Sequence, residues 1–320
     1  MARADGQETV GAMQRITRDR LTVVFDRRDP PVARVQPGER FVVETEDSRG
    51  GRTRTPETTT PEFLLAMRRH GYHGNPVTGP LYVEGARAGD TLAVHIHEQE
   101  CDTVGYQGYW PELFHLEDFF DRPSTVLREI RGGKILMDHG IEIPVRPMIG
   151  TIGTAPAVEA ILSGSMGRHG GNLDAPEIRA GSTVYLPVEV DGALLALGDC
   201  HAVQSDGEIG GLEMRSVITL SCEVIEGRSE AMSWPRVETD ELLVTVAVAS
   251  PLEEAGRLAL REMIRWIEEL TGMSKHDAYL LVGLAGHARP GQFQVPLYSM
   301  RCLMPKHLLP AGSSKKGAPA

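Results

Sequence analysis

Apolar and polar residues alternate with a period of two through much of the chain between residues 21 and 250. In residues 91–98, Leu92, Val94 and Ile96 fall on one face of an extended strand, and two histidines fall on the other. Comparable β-rich runs occupy residues 183–190, 215–225 and 241–249. The intervals between runs are rich in glycine and proline, with 35 and 21 residues in the chain, as expected of short strands joined by tight turns. The pattern predicts a large antiparallel β body.

The dipeptide Asp191-Gly192 separates the apolar run 183–190 from the apolar run 193–199. Asp-Gly between two apolar runs is a strong signal for a two-residue β-hairpin. The sequence therefore predicts that these two runs pair with each other as adjacent strands.

The period changes at Ser250, where the pattern becomes helical. The four residues that begin with Ser250 offer an N-cap serine, a proline at the first helical position and a glutamate at the third. Apolar residues then recur at spacings of three and four, at Leu252, Ala255, Ala259, Met263, Ile267 and Leu270. Gly272 predicts the end of this helix, and a second helix is expected from Ser274 to about Gly286. These features predict a helix pair packed on the β body.

The patterns divide the chain into four parts. Residues 1–20 are expected to be a loose N-terminal segment, and residues 21–249 the β-rich body that carries the chemistry. Residues 250–307 are expected to form a helical and β portion packed on the same body. Residues 308–320 are small, polar and basic, which predicts a disordered tail.

Composition and charge exclude several classes of protein. Of the 320 residues, 41% are hydrophobic and 24% charged, which excludes disorder as the main state. The 44 acidic and 33 basic residues give a formal net charge of −11, so the chain lacks the electrostatic attraction that drives binding to nucleic acid or anionic membranes. No run of about 18 apolar residues predicts a membrane span. Four scattered cysteines and a polar N-terminus favour free thiols and a cytoplasmic location.

Asp199 and His201 end an apolar strand at a spacing of two. Their side chains are expected on the same face, with Cα atoms roughly 6–7 Å apart, and a carboxylate with an imidazole suits zinc or a harder divalent ion. Asp206 and Glu208 follow after a short turn that would return two more carboxylates to this place. The alternative is structural, with Asp199 capping the next turn and Asp206-Gly207 forming a hairpin corner.

A second candidate group lies between His169 and Asp174. Gly170 and Gly171 allow a positive φ and the close approach of a ligand to the main chain. Backbone N–H groups beside His169, Asn172 and Asp174 would suit a carbonyl group and its developing oxyanion. A plain glycine-rich turn is the alternative, and the chain contains no G-x-S-x-G sequence of the kind a serine esterase requires.

Five blocks of sequence resemble the acetamidase/formamidase family, in the family's order. They are NPVTGPLYVEGARAGD (75–90), PVRPMIGTIGTAP (144–156), RHGGNLD (168–174), AGSTVYLPVEVDGALLALGDCHAVQSDGE (180–208) and SKHDAYLLV (274–282). The resemblance extends from about residue 21 to residue 307. It implies hydrolysis of small amides such as formamide and acetamide to the acid and ammonia. It also implies a largely β sandwich with an added α/β part, a bound divalent metal, and assembly into dimers or larger oligomers.

The resemblance implies a metal set and a catalytic set. Asp199 and His201 are expected to hold the metal, with zinc as the favoured ion and with Asp174 or His169 completing the set. A catalytic zinc site usually has three protein ligands and a water, so these four candidates need not all bind.

The catalytic set surrounds the expected position of the amide. Glu208 is expected to take a proton from water and return it to the leaving ammonia, with Asp206 in the same group. The backbone of Gly170 and Gly171, together with Asn172, is expected to stabilise the oxyanion.

Two positions depart from the family pattern. Cys200 stands where many members have proline, so a thiol nucleophile there is not expected to be the family mechanism. Two neighbouring carboxylates would also raise the pKa of Cys200 and so disfavour its thiolate. Ser205 stands where a glycine is usual, which leaves the choice of amide open.

Two other hypotheses are compatible with the sequence. One is a non-catalytic β-sandwich that binds a small polar ligand or a partner and holds a structural metal. The other is an amidase without metal, in which paired carboxylates activate water directly.

The second predicted helix is apolar nearly all round between residues 278 and 285. Such a helix needs cover on more than one side. We therefore expect a homodimer or a dimer-based oligomer with this region at or near the interface.

Overall fold

The computed structural model describes residues 13–70, 74–113, 116–229, 231–293 and 296–310. The predicted loose segment at residues 1–12 and the predicted disordered tail at residues 311–320 lie outside these described residues.

The described residues form 23 strands and three α-helices, most of the strands being short. In chain order the strands are β1 (Gln14–Ile16), β2 (Leu21–Thr22), β3 (Val24–Phe25), β4 (Ala33–Val35), β5 (Phe41–Thr45), β6 (Val77–Val83), β7 (Thr91–Cys101), β8 (Val104–Tyr109), β9 (Ser124–Arg131), β10 (Lys134–Leu136), β11 (Glu142–Pro144), β12 (Met148–Gly153), β13 (Ile161–Leu162), β14 (Met166–Gly167), β15 (Gly170–Asn172), β16 (Thr183–Pro187), β17 (Leu195–His201), β18 (Glu213–Met214), β19 (Ser216–Ile225), β20 (Arg236–Glu238), β21 (Leu242–Ala249), β22 (His287–Pro290) and β23 (Tyr298–Pro305). The helices are α1 (Pro61–Arg69), α2 (Leu252–Thr271) and α3 (Lys275–Ala285).

Two large sheets contain most of these strands. The nine-stranded sheet has the order β1-β5-β19-β7-β16-β20-β21-β23-β22. The twelve-stranded sheet has the order β11-β10-β9-β8-β18-β17-β12-β15-β14, with β6 beside β17 and with β2 and β4 beside β6. Among the strands of the described residues, the pairs β1–β5 and β4–β6 are parallel and the other pairs are antiparallel.

The two sheets pack face to face around one large hydrophobic core. Val94 of β7 and Leu220 of β19 in the nine-stranded sheet meet Ile149 of β12 and Leu197 of β17 in the twelve-stranded sheet. Inward-facing side chains from two packed sheets define a β-sandwich. The predicted fold class, mostly β and antiparallel with late helices, is therefore confirmed.

Helices α2 and α3 cover the other face of the nine-stranded sheet. Leu243 of β21 and Met304 of β23 pack against Met263 and Ile267 of α2 and against Val282 of α3. Because β21 is buried on both faces, apolar residues follow one another along it instead of alternating with polar ones.

The predicted hairpin across Asp191-Gly192 is wrong. β16 pairs with β7 and β20 in one sheet, whereas β17 pairs with β6, β12 and β18 in the other. Ala193 and Leu194 adopt positive φ values of 58° and 54°, so the turn continues beyond the dipeptide and carries the chain between sheets. All seven residues of β17 are buried, which requires that both faces of the strand are covered.

The predicted helix boundaries hold with one change. Pro251, with φ −75° and ψ 175°, occupies the N-cap of α2 without a side-chain cap, so the predicted serine cap at Ser250 is wrong by one residue. Gly272 ends α2 in the left-handed conformation with φ 75°. Ser274 caps α3 by accepting a hydrogen bond from the Asp277 N–H at 3.1 Å.

Ordered structure begins earlier than expected. β1 pairs in parallel with β5 at the edge of the nine-stranded sheet, so the loose segment predicted for residues 1–20 is wrong at Gln14–Ile16. Within the described part of the chain, none of the helices combines the length and the apolar composition needed to cross a membrane.

Candidate active site

The candidate functional residues collect on four adjacent strands of the twelve-stranded sheet. These strands carry Thr151 on β12, Asn172 on β15, Asp199 and His201 on β17, and Glu213 on β18. Because β17 pairs with β12 on one side and with β18 on the other, the side chains lie close together. The loops after β15 and β17 add two more carboxylates, those of Asp174 and Glu208.

Asp174, Asp199 and His201 form a compact group of possible metal ligands. Each offers one ligand atom, and these atoms lie within 4.8 Å of one another. The three residues are 1–2% exposed. Oδ1 of Asp199 lies 3.7 Å from Nε2 of His201, so the spacing of two along β17 does bring these side chains together.

Each aspartate of this group has one oxygen held and one oxygen without a partner. Oδ2 of Asp199 accepts hydrogen bonds from Asn75 at 2.8 Å and from Thr151 at 3.1 Å. Oδ2 of Asp174 accepts a hydrogen bond from Asn172 at 2.8 Å. The Oδ1 atom of each aspartate is buried and has no hydrogen-bond partner among the described residues.

The imidazole of His201 is arranged in the same way. Nδ1 lies 2.6 Å from Oε1 of Gln204, whose Nε2 donates to the Asp174 carbonyl at 2.8 Å. Since an amide oxygen only accepts, Nδ1 carries the proton and Nε2 is left as the ligand atom. Within the described residues, Nε2 is buried and makes no hydrogen bond of normal geometry, although Oε1 of Glu213 lies 3.1 Å away.

The backbone of the site is strained. Asn75, Asp174, Asp199 and Glu208 have φ values of 51°, 46°, 53° and 33°. In the described part of the chain seven residues other than glycine have a positive φ, and these four all line one cavity. Such conformations cost roughly 1–3 kcal/mol each and persist where the surrounding structure imposes them, commonly at functional sites.

The charges of the site shift one another's pKa values. Burial, followed by the charges of Glu208 and Asp199, holds the pKa of Asp174 well above its usual value. Burial raises the pKa of Glu213 against the opposing effect of His201. Burial by itself would lower the pKa of His201, but Glu213 and Asp199 hold it well above its usual value. Burial and mutual repulsion therefore disfavour the charged forms of these carboxyl groups, and a bound cation would stabilise those forms.

These donors fit a divalent cation. Two carboxylate oxygens and one imidazole nitrogen lie together without hydrogen-bond partners among the described residues, and neighbouring amides and a hydroxyl fix their orientation. Zinc and related ions accept this mixture of ligands, and the partners behind the ligands are those that metal sites use to orient them. Asp174, Asp199 and His201 are therefore the candidate metal centre.

The group opens on a cavity of about 600 Å³, a size typical of small-molecule sites. Glu208 and Glu213 line it beside the metal candidates, and its wall includes Arg49, Tyr106 and Trp110.

His169 lies apart from this group. Its ring packs edge-on against Phe25 with centroids 5.1 Å apart, and burial lowers the pKa of His169 to about 4. His169 is absent from the described residues that line the cavity and from those within ligand distance of each other. Of the two candidates for the third ligand, the geometry brings Asp174 to the site.

Gly170 and Gly171 lie inside β15, between β12 and β14. A Cβ atom on Gly170 would overlap the Ile152 carbonyl oxygen, and one on Gly171 would overlap that of Ser165. Both positions thus require glycine because neighbouring backbone approaches closely. Neither glycine is among the described cavity-lining residues, so the structure does not bring the expected oxyanion cradle to the cavity; Asn172 does line it.

Asp206 also lies away from the cavity wall. It forms an ion pair with Arg301, which is fully buried, and Arg301 donates to Glu177 at 2.6 Å and to the Pro290 carbonyl at 3.0 Å. The Gly207 N–H donates to the same carbonyl at 3.2 Å. The Asp206 carboxylate therefore anchors the turn that leads to Glu208.

Asp206→Asn is expected to lower the free energy of unfolding by about 1–3 kcal/mol, because it weakens a charge-assisted hydrogen bond to a buried cation. Turnover should fall less than about tenfold. Denaturant unfolding and steady-state kinetics on the same protein check both values. A loss of turnover above a hundredfold in a folded protein would return Asp206 to the catalytic group.

Cys200→Ala is expected to retain most activity. The Cys200 side chain is fully buried and accepts from the Thr45 hydroxyl at 3.4 Å, while burial raises the pKa of the thiol to about 12. Cys200 lies between Asp199 and His201 on β17 and faces away from both. Turnover of Cys200→Ala checks the prediction, and a loss above about a thousandfold, roughly 4 kcal/mol of barrier, would support a thiol mechanism.

Ser205, the other departure from the family pattern, is exposed.

Sequence reasoning missed four residues of the site. They are Asn75, Thr151, Gln204 and Glu213. Asn75 and Thr151 lie within the blocks that carry the family resemblance, and Gln204 follows His201 by three residues, so each had a local signal. Glu213 lies outside these blocks, and only the pairing of β18 with β17 brings it to His201.

Comparison with known proteins places this architecture among amidases. The acetamidase of Bacillus halodurans superimposes with a TM-score of 0.86 at 36% identity, covering 95% of this chain and 100% of that one. A predicted acetamidase/formamidase of Thermoanaerobacter tengcongensis superimposes with a TM-score of 0.87 at 33% identity, covering 94% of this chain and 98% of that one.

Sequence comparison agrees with the structural one. The formamidase of Methylophilus methylotrophus is 25% identical over 256 residues, 62% of this chain and 62% of that protein. The match thus spans less than two thirds of that relative. Residues 19–166 and 162–308 match the profile of the Acetamidase/Formamidase family. The chain belongs to the acetamidase/formamidase family.

Proposed function

We propose that the protein hydrolyses small aliphatic amides, of the formamide and acetamide type, to a carboxylic acid and ammonia. One observation carries the proposal: three buried donors stand beside further carboxylates in one cavity, and each has one ligand atom without a hydrogen-bond partner among the described residues. Family membership supports the same reaction, because relatives are named formamidase and acetamidase.

Asp174, Asp199 and His201 would hold a divalent metal, zinc being the ion we favour. When bound, such a cation supplies a Lewis acid that polarises the amide carbonyl and lowers the pKa of water. Catalytic zinc sites usually have three protein ligands, and three is the number of candidate ligands that the described residues bring together. This count supports a catalytic member over one with a structural metal.

Hydrolysis replaces the C–N bond of the amide by a C–O bond. The oxygen of water forms a bond to the amide carbon, the C–N bond breaks, and the nitrogen leaves as ammonia after it gains the proton that water loses. Glu208 lines the cavity near the metal candidates, and its charge acts on Asp174. We assign to Glu208 the transfer of that proton from water to nitrogen.

The amide side chains have an orienting role in this proposal. Asn75 donates to both Asp199 and Asn172, at 2.8 Å and 2.9 Å. Asn172 in turn donates to Asp174. The two asparagines thus keep one oxygen of each aspartate occupied, and the other, which has no hydrogen-bond partner among the described residues, would be available as a metal ligand.

Ammonia release from formamide, acetamide, propionamide and urea tests the proposed activity. We expect stoichiometric acid and ammonia from the amides, with formamide or acetamide preferred among these unsubstituted compounds. The absence of hydrolysis for every amide, with each of several divalent metals added, would overturn the proposal.

We also propose a homodimer or a dimer-based oligomer in the cytoplasm. Tyr279, Leu280 and Leu284 of α3 are 61%, 48% and 89% exposed in the single chain, so this helix leaves apolar surface to cover. All four cysteines are free thiols, which suits a reducing compartment. Light scattering that gives a mass near 35 kDa at all concentrations would contradict the assembly.

A further inference from the structure

The cavity is larger than formamide or acetamide requires. An amide of three or four heavy atoms needs on the order of 100 Å³, at about 30 Å³ for each water-sized group, whereas the cavity measures about 600 Å³. The wall that bounds the remaining space includes Arg49, Tyr106 and Trp110. The hydrolysis derived above uses none of these three side chains.

Arg49 is a buried cation in this wall. The residue is 6% exposed, and its Nη1 donates to the Thr125 hydroxyl at 2.9 Å and to the Thr53 hydroxyl at 3.4 Å. Among the described residues, no carboxylate pairs with it at ion-pair distance. Burying a cation without an anionic partner is costly, so an anion from the ligand would complete this environment.

The ring of Tyr106 fixes the orientation of this guanidinium. Cζ of Arg49 lies 4.1 Å from the ring centroid, and Tyr106 is the register partner of Glu213 across β8 and β18. The same ring therefore adjoins both the Glu213 side chain and the Arg49 cation. Among the described residues of the cavity wall, the other arginine is Arg68, which forms an ion pair with Glu112.

We propose that the cavity accepts amides whose acyl chain ends in a carboxylate, the monoamides of short dicarboxylic acids, and that Arg49 binds this carboxylate. The inference rests on the amide hydrolysis proposed above and narrows its substrate class. A planar guanidinium donates two parallel hydrogen bonds to a carboxylate. With its carboxylate on Arg49, the substrate would share the cavity with the metal candidates, which line the same wall. The bond broken is again the amide C–N bond, with ammonia as the second product.

The test compares ammonia release from succinamate, butyramide and acetamide by the metal-loaded wild-type protein. Succinamate and butyramide have the same chain length and differ in the terminal carboxylate. We expect kcat/KM for succinamate to exceed that for butyramide by about 10- to 100-fold, the discrimination expected of a charge-assisted hydrogen bond. Arg49→Gln should bring this ratio close to one.

Arg34→Gln is the matched control. Arg34 also stacks on a tyrosine ring, with Cζ 3.8 Å from the Tyr82 centroid, but it is exposed and outside the cavity. We expect its succinamate-to-butyramide ratio to equal that of the wild type. If wild-type protein prefers butyramide or acetamide to succinamate, the inference is wrong while the proposed activity stands. If no amide is hydrolysed, the proposed activity fails, and this inference with it.

Discussion

Asp199→Asn is expected to bind less than about a tenth of the wild-type metal and to hydrolyse acetamide at least about a thousandfold more slowly, roughly 4 kcal/mol of barrier. The physical reason is that Oδ1 of Asp199 is a buried oxygen without a hydrogen-bond partner among the described residues, 3.7 Å from Nε2 of His201. An amide at this position is a far weaker ligand than a carboxylate. His201→Ala should have the same two effects.

Two substitutions elsewhere serve as controls for this pair. Asp191→Asn makes the same chemical change in the exposed turn before β17, and His97→Ala removes an imidazole that contacts Ser221 at 2.8 Å on β19. Both should keep wild-type metal content and turnover. Elemental analysis and kinetics on all four proteins measure metal content and turnover. Full metal occupancy with wild-type turnover in the Asp199 and His201 variants would refute their assignment as metal ligands.

Glu208→Gln is expected to lower kcat by about 10²- to 10⁴-fold, the usual contribution of general acid–base catalysis, while metal content and KM change little. The isosteric amide keeps the shape of the side chain but cannot accept the proton of water. The retained metal separates this variant from Asp199→Asn, which loses metal and turnover together. Kinetics and elemental analysis of one preparation measure both quantities.

A loss of metal from Glu208→Gln would make Glu208 a ligand rather than the proton carrier. A kcat within a factor of three of the wild type would remove it from the reaction.

The strand pattern was predictable because burial on one face leaves a period of two in the sequence. The same period brought Asp199 and His201 to one face of β17. The hairpin predicted from Asp191-Gly192 failed, since β17 joins a different sheet from β16. Local apolar runs determine that a strand forms, and they leave its partner undetermined.

Only those features of the site that depend on spacing along the chain could be predicted from the sequence. Asp206 was assigned to catalysis because it stands two residues before Glu208, whereas its partner Arg301 lies 95 residues away in sequence. His169 was a ligand candidate through its family block, yet its ring packs against the ring of Phe25. Contacts between distant segments, which no spacing records, decide both roles.

The metal dependence of amide hydrolysis in one preparation tests the role of Asp174, Asp199 and His201 most directly. Wild-type protein would be stripped with a chelator, dialysed, and assayed for ammonia release from acetamide before and after zinc or another divalent ion is added back, with metal counted per chain. We expect activity to disappear with the metal and to return in proportion to the metal restored, up to one ion per chain. Undiminished turnover by protein shown to be metal-free would contradict the metal-assisted reaction at Asp174, Asp199 and His201.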